Sequence, residues 1–243
     1  MATDIYIFNR VEKKYRISIA QRNALLSLIE DNLIPDAHGK STICSLYLDT
    51  PDHLLIRNSI DADVYKEKLR LRSYGTPEKD SKIFFEIKKK YKGVVYKRRV
   101  AMTPEDAEIY IDTGFAPTEL QTTKSQIMSE IDYAMKFYNF PRPSMVISYE
   151  REAFYLKEYP NVRITFDYNI RYRDTDLMFE SGTDGIRILP EDTIIMEIKT
   201  DGAMPIWLSR VLSQNSILPS SFSKYGTAYL KTVKGGQMHV SNF

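Results

Sequence analysis

The sequence predicts an α+β fold: a closed antiparallel β-barrel of about eight strands with amphipathic helices packed outside. Period-2 segments recur near residues 4–16, 42–49, 64–74, 82–91, 94–101, 144–157, 161–173 and 192–200, and that many strand candidates in one domain suggest a barrel. Short connections between them favour antiparallel pairing. Charged and apolar residues alternate along the strands, which gives each strand one polar and one apolar face.

The elements follow in chain order. After the first strand, Ser18 and Gln21 have capping-box spacing, and Ala24, Leu25, Leu28 and Ile29 continue at helical intervals. Pro35 and Gly39 close that region. Thr50-Pro51 reads as an N-cap followed by Pro at the first helical position, opening a short helix through Leu54 and Leu55. Lys92-Gly93 reads as a tight hairpin turn. Thr103-Pro104 starts a helix with Ala107, Ile109, Tyr110 and Ile111, and Gly114 ends it. Ser125 to Phe140 is amphipathic, with Ile127, Met128, Ile131, Met135 and Tyr138 on one side and Pro141 and Pro143 as stops. Two last helices are predicted over 205–214 and 223–232.

The 243 residues suit one domain spanning 1–243. Hydrophobic residues at 43% suffice for a buried core. The single cysteine, Cys44, excludes an intramolecular disulfide and sits in a strand-like run, where a small buried residue is the expected role. The start of the chain shows no secretory pattern, and no window approaches the ~20 apolar residues of a membrane helix. A cytoplasmic protein without direct membrane insertion is expected.

The net charge is only +2, so a strong positive field has to come from arrangement. On one face of six strand windows lie Arg10, Lys14, Lys66, Lys68, Arg70, Arg72, Lys88, Lys90, Lys97, Arg99, Arg163 and Lys199, against the acids Glu12, Glu86, Asp167 and Glu197. Twelve bases face four acids, a surplus of eight positive charges in a chain whose total is +2. Like charges on adjacent strands repel unless an anion compensates them. Two arrangements satisfy the alternation: the wet face of a two-layer sheet, or the interior of a barrel. The single-signed bias favours the second, since a solvated face normally mixes signs. By the same parity Lys13, Lys89 and Arg98 lie on the opposite face.

Several ordered motifs carry a resemblance. Arg10-x-Glu12-x-Lys14-Tyr15, Ser45-Leu46-Tyr47-Leu48-Asp49-Thr50, Lys68-Leu69-Arg70-Leu71-Arg72-x-Tyr74, Phe85-Glu86-Ile87-Lys88 and Lys97-Arg98-Arg99 come first. Ser148-Tyr149-x-Arg151, Arg163-Ile164-Thr165-Phe166-Asp167, Met196-Glu197-Ile198-Lys199 and Ser221-Phe222-Ser223-Lys224-Tyr225 follow. Together they resemble the VTC domain, the polyphosphate polymerase domain of the triphosphate tunnel metalloenzyme or CYTH-like superfamily, over about residues 8–230. Arg10 stands where the superfamily's Glu-x-Glu-x-Lys pattern has its first Glu. That substitution removes a metal ligand and turns the resemblance from the triphosphatase and cyclase members toward the polymerase branch.

The resemblance implies that ATP donates its γ-phosphoryl group to inorganic phosphate or to a growing polyphosphate chain, assisted by Mn²⁺ or Mg²⁺. It implies Lys14, Arg70, Arg72, Lys88, Lys97, Arg99, Arg151, Arg163, Lys199 and Lys224 as the reacting-phosphate ligands. Arg10, Lys66, Lys68, Lys90, Tyr149 and Ser223 would bind substrate further along the same face. Glu197 is the first choice for a metal ligand, with Glu86 and Glu12 as weaker candidates that could instead pair with neighbouring cations. A hydrolase of triphosphate on the same scaffold and a non-catalytic polyphosphate- or nucleotide-binding module are the alternatives. The three histidines lack metal-ligand spacing, no Walker-type loop is present, and Trp207 reads as packing. Tyrosines among bases could stack nucleic acid, but the order of the motifs speaks against a nucleic-acid partner.

Overall fold

The structure, a computed structural model, describes residues 10–116 and 126–240 apart from positions 38, 63 and 93; side chains are described for 11–233 of these. The expected strand residues 4–9, the side chain of Arg10 and the start of the predicted helix at Ser125 lie outside the described residues.

Ten strands, six α-helices and one 3₁₀ turn (Glu30–Asn32) are described. The strands are β1 (Arg10–Ser18), β2 (Leu33–Pro35), β3 (Ser41–Asp49), β4 (Tyr65–Tyr74), β5 (Ile83–Tyr91), β6 (Val94–Met102), β7 (Arg142–Leu156), β8 (Arg163–Arg173), β9 (Ile186–Arg187) and β10 (Thr193–Asp201). The helices are α1 (Ile19–Ile29), α2 (Leu54–Asp61), α3 (Pro104–Thr113), α4 (Gln126–Phe137), α5 (Ile206–Gln214) and α6 (Lys224–Val240). All eight expected strands form. β2 and β9, short additions pairing with β7 and β8, escaped the period-2 reading because two or three residues show no period.

The chain forms two compact units. The first comprises residues 1–41, 150–169 and 189–222; the second comprises 42–149, 170–188 and 223–243. Strands β7 and β8 run through both. In the first unit β1 pairs with β10 and β10 with β8, each antiparallel. One sheet face there buries Tyr15, Ile17, Ile164, Phe166, Met196 and Ile198, and these pack with Leu25 and Ile29 of α1 and Leu208 and Leu212 of α5. Trp207 packs against the same core, as expected. The capping box at Ser18 and Gln21 is present, with both reciprocal hydrogen bonds.

In the second unit β3, β4, β5 and β6 pair in sequence, all antiparallel. Leu46, Leu48, Leu69, Leu71, Phe85 and Ile87 bury one face against Tyr110 of α3 and Met128, Ile131 and Met135 of α4. The β5–β6 turn contains Lys92 at φ 46°, the left-handed geometry a two-residue hairpin needs. Gly114 ends α3 at φ 73°, where a Cβ would lie 2.6 Å from the Phe140 ring. Cys44 is buried in this core, as expected.

The hydrogen-bonded strand order is β1-β10-β8-β7-β3-β4-β5-β6, a path with two ends. This corrects the closed barrel to an open antiparallel sheet. Both ends have a physical reason to stay unpaired. The outer edge of β1 is already used: Ser220 N–H donates to the Lys14 carbonyl at 2.7 Å and the Arg16 N–H to Ser220 Oγ at 3.0 Å. The edge strand β6 carries exposed Lys97, Arg98 and Arg99, and charge on an edge opposes further pairing.

The start of α2 also differs from expectation. Thr50-Pro51 does not open the helix; His53, at φ 57°, occupies the cap position. Thr50 still satisfies one donor, its Oγ1 accepting from the Leu54 N–H at 2.9 Å, and the others go to Asp49, the last residue of β3. Its Oδ1 accepts from the Thr50 N–H at 2.9 Å and the Leu55 N–H at 2.8 Å. Its Oδ2 accepts from the Ile56 N–H at 3.0 Å and from the Tyr225 hydroxyl of α6 at 2.8 Å. Four bonds to one buried carboxylate tie β3, α2 and α6 together. Asp49→Ala should therefore cost about 2–4 kcal/mol, since it orphans buried donors and removes the cap. Urea unfolding would show this as a lowered midpoint at unchanged slope.

Candidate phosphate-binding site

The site follows from strand register. In the second unit, Tyr47 of β3 lies opposite Arg70 of β4, Arg70 opposite Glu86 of β5, and Glu86 opposite Arg99 of β6. The next row on the same face is Lys68, Lys88 and Lys97. The row on the other side is Ser45, Arg72, Phe84 and Ala101. Period-2 alternation thus places one carboxylate amid a field of cations, as the sequence parity required.

Glu86 is fully buried and binds three of them. Arg70 contributes Nε at 2.8 Å and Nη2 at 2.6 Å to its Oε2, with Arg72 Nε 3.5 Å away. Lys97 Nζ lies 2.6 Å from Oε1. Burial by itself would raise the Glu86 carboxyl, but Arg70, Arg72 and Lys97 outweigh it and hold it at about 2. Lys97 is pushed down to about 8 by lost hydration of its ammonium, with Arg72 and Arg70 adding to this against Glu86. Two-fifths of the Lys97 side chain is nonetheless open to solvent, so the shift belongs to the ammonium end rather than to the whole chain.

Tyr47 completes the row. Its hydroxyl accepts from Arg70 Nη1 at 3.0 Å, and its ring stacks on Tyr225 with centroids 4.3 Å apart. Burial alone would raise this phenol, but Arg70, Lys68 and Arg72 lower it to about 8. Lys68 Nζ donates to Ser223 Oγ at 2.9 Å, and Ser223 Oγ accepts the Gly226 N–H at the start of α6. Lys224 lies 4.4 Å from the ring centroid of Tyr149. Arg99 turns onto the Phe84 ring, 4.6 Å from its centroid. Lys66 and Lys90 face each other one row beyond Lys68 and Lys88.

The first unit has its own charged rows. Glu12, Lys199 and Arg163 lie side by side across β1, β10 and β8, and so do Lys14, Glu197 and Thr165. Arg151 of β7 makes a bidentate pair with buried Asp167, at 2.6 and 2.8 Å, and lies 3.6 Å from Glu197. Lys14 Nζ donates to the Phe222 carbonyl at 3.0 Å and lies 3.3 Å from Glu12. Arg163 is drawn aside by Asp36, 2.7 Å away, and lies over the Tyr155 ring.

The three carboxylates put forward for a metal differ in fitness. Glu86 is a counter-ion with both oxygens committed to cations, which does not suit a metal ligand. Glu12 and Glu197 both approach the Lys199 ammonium, at 3.9 and 3.1 Å, so a cation already lies between them. A divalent ion held by that pair would have to displace this ammonium and take most of its oxygens from a phosphate chain. Among the described residues no group of three or more His, Cys, Asp or Glu forms a metal centre on its own.

Reading parity alone missed Tyr47, Asp36, the Phe222 carbonyl and Asp49. Tyr47 was within reach of the same rule, because Ser45, Tyr47 and Asp49 alternate on one face of β3. Counting only charges passed over that strand. Asp36 and Phe222 lie on irregular segments with no period to follow.

An antiparallel sheet with Lys and Arg arrayed on one face defines the framework of an anion-binding protein. The chain belongs to the VTC domain family, which matches residues 9–233, and with it comes a triphosphate- or polyphosphate-related function. A candidate adenylate cyclase from Bacillus halodurans shares the fold at TM-score 0.53 and 13% identity, over 88% of this chain and 93% of its own. Two further solved structures align more loosely. One is a candidate adenylate cyclase from Vibrio parahaemolyticus, at TM-score 0.47 and 12% identity over 90% of this chain and 97% of its own. The other is a candidate adenylyl cyclase from Hippeastrum described as having a dominant triphosphatase activity, at 0.49 and 13% over 89% and 93%. No curated protein matches the sequence significantly. Among the described residues no helix is long and apolar enough to cross a membrane.

Removing the charge of Glu86 leaves three cations uncompensated in a buried setting. Glu86→Gln should destabilise the fold by roughly 3–5 kcal/mol near neutral pH. Because the folded carboxyl is depressed, its contribution is present above the unfolded value of 4.5 and is lost as pH falls toward about 2. Thermal melts across that window should show the difference between wild type and Glu86→Gln shrinking as pH falls.

Proposed function

We propose that the protein is an ATP-dependent polyphosphate polymerase. The observation that carries this reading is the row Arg70, Arg72 and Lys97 held rigid by one buried Glu86, with Lys68 and Lys88 beside it. Three cations against one carboxylate leave a positive surplus with fixed geometry. Phosphoryl transfer needs little covalent help; it needs in-line positioning and neutralised phosphate oxygens.

In the reaction, the bond between the γ-phosphorus of ATP and its bridging oxygen breaks. A new bond forms to a terminal oxygen of inorganic phosphate or of the growing chain, and ADP leaves. The acceptor is already anionic, so no protein base is needed to activate it. Arg70 and Arg72 suit bidentate contact with non-bridging oxygens, and Lys68, Lys88 and Lys97 act as point charges. Arg99, Lys66, Lys90, Tyr149, Ser223 and Lys224 extend the same binding surface in the second unit. Lys14, Arg151 and Lys199 carry the cationic rows of the first, and Arg163 reaches an anion only by leaving Asp36. Glu197 with Glu12 would hold a Mn²⁺ or Mg²⁺ ion together with substrate oxygens. Such an ion would supply charge neutralisation on the phosphate oxygens it binds.

The test is incubation of the purified chain with ATP, a divalent metal and a short polyphosphate primer, with products resolved by length. Long chains accompanied by ADP are expected. Release of phosphate without chains would mark a hydrolase, and unchanged ATP despite tripolyphosphate binding would mark a binding module. Arg70→Ala should lower the rate roughly 10²–10³-fold, as removal of a preorganised charge contact does elsewhere. Lys13→Ala, on the opposite face, should stay within about twofold. Equal effects of the two substitutions would sink the assignment of the reacting face.

A further inference from the structure

Among the described residues the Tyr47 hydroxyl takes part in one hydrogen bond, as acceptor. Its oxygen accepts from Arg70 Nη1, so its own O–H must point elsewhere. Among the described residues no acceptor for that proton is present, although Tyr47 is only 6% exposed. A buried donor without an acceptor costs about 1–3 kcal/mol, so native proteins rarely leave one unless something external completes it. The groups gathered around it include Lys68, Arg70 and Arg72 from β4. None of these can accept a hydrogen bond. Glu86 of β5 is consumed by its cations, and Asp49, two residues along β3, by α2 and Tyr225. Tyr149 of β7 and Lys224 of α6 face one another.

We propose that the Tyr47 hydroxyl is a ligand for the bound phosphate chain, donating its proton to a non-bridging phosphate oxygen that Arg70 also contacts. The inference rests on the basic row of the second unit being the phosphate site. Tyr47 is pre-positioned for the task. The Tyr225 ring stacks on one side, and Tyr225 is itself anchored to Asp49, so the phenol is held by the same network that fixes α2 and α6. The chemistry has a signature that cations lack. A protonated phenol attracts an anionic oxygen, whereas a phenolate repels it and cancels one neighbouring charge. Arg70, Lys68 and Arg72 bring the phenol to about 8 against the effect of burial, so this change falls in an accessible range. Bound phosphate raises the phenol again. The donor's contribution to affinity is therefore complete below about pH 8, declines above it, and is lost only above the higher value the phenol takes in the complex.

Lys97 titrates in the same range, so the test is made in a Lys97→Arg background, where that charge is permanent. Metal-free tripolyphosphate binding is measured by calorimetry for K97R and for Y47F/K97R. Phe keeps the ring that stacks on Tyr225, and thermal melts check that both variants are folded. At about pH 7 the Phe variant is expected to bind roughly 10- to 100-fold more weakly, the range for a hydrogen bond to a charged group. At about pH 9 the ratio is expected to be several-fold smaller than at about pH 7, because the free protein then holds mostly phenolate, which cannot donate. The ligand's own titration is common to both and drops out of the ratio. Equal affinities at about pH 7, or a ratio that does not change with pH, overturns the role of Tyr47 and leaves the phosphate site standing. Absence of tripolyphosphate binding by folded wild type and K97R overturns the site reading, and this inference with it.

Discussion

The second unit depends on the neutralisation of Glu86. Strand alternation stacks cations on one face of β4, β5 and β6, and without a counter-ion that face would repel itself. Glu86 lies in the middle of the ladder, with Arg70 beside it and Arg72 and Lys97 on the diagonals. Its burial is costly and is offset by three partners, each of which loses hydration in turn. The outcome is a rigid array that still carries excess positive charge. Rigidity matters because a phosphate site built from free lysines would have to order them on binding. Here Glu86 has ordered Arg70, Arg72 and Lys97 in advance.

A second constraint fixes the back of the same site. Asp49 closes β3 by capping α2, and its remaining oxygen valence goes to Tyr225. Tyr225 in turn supports the ring of Tyr47, whose hydroxyl contacts Arg70. The cap of a short helix and the position of a cation are thus linked through two aromatic rings. A polar network of this kind is costly if incomplete, and among the described residues the Tyr47 proton has no acceptor. The first unit solves the same problem differently. There the cations pair off with individual acids, Arg151 with Asp167 and Arg163 with Asp36, while Lys199 lies between Glu12 and Glu197. Pairing one to one leaves less surplus charge, so the strongest anion-attracting array belongs to the second unit.

The open ends of the sheet also have local causes. The edge of β1 is covered by the segment at Pro219 and Ser220, and β6 presents consecutive charges.

Much of this was legible from the sequence. Period-2 alternation is a local property of the chain, so Arg70, Glu86 and Lys97 could be assigned to one face and Leu69, Phe85 and Ile87 to the other. Caps such as Ser18 with Gln21 and stops such as Gly114 are equally local. Membership of the VTC domain family was readable from the motifs for the same reason, since each lies on one strand or turn. What only the tertiary structure decided is which charges meet. Glu86 became the counter-ion of Arg70, Arg72 and Lys97 because strand register brings them to it. Arg163 turned to Asp36 because an irregular segment passes beside β8. The closed barrel gave way to an open path because residues far along the chain cover the edge of β1. Spacing within a strand determines faces, whereas pairing between distant segments, governed by register and by loops without periodicity, determines partners.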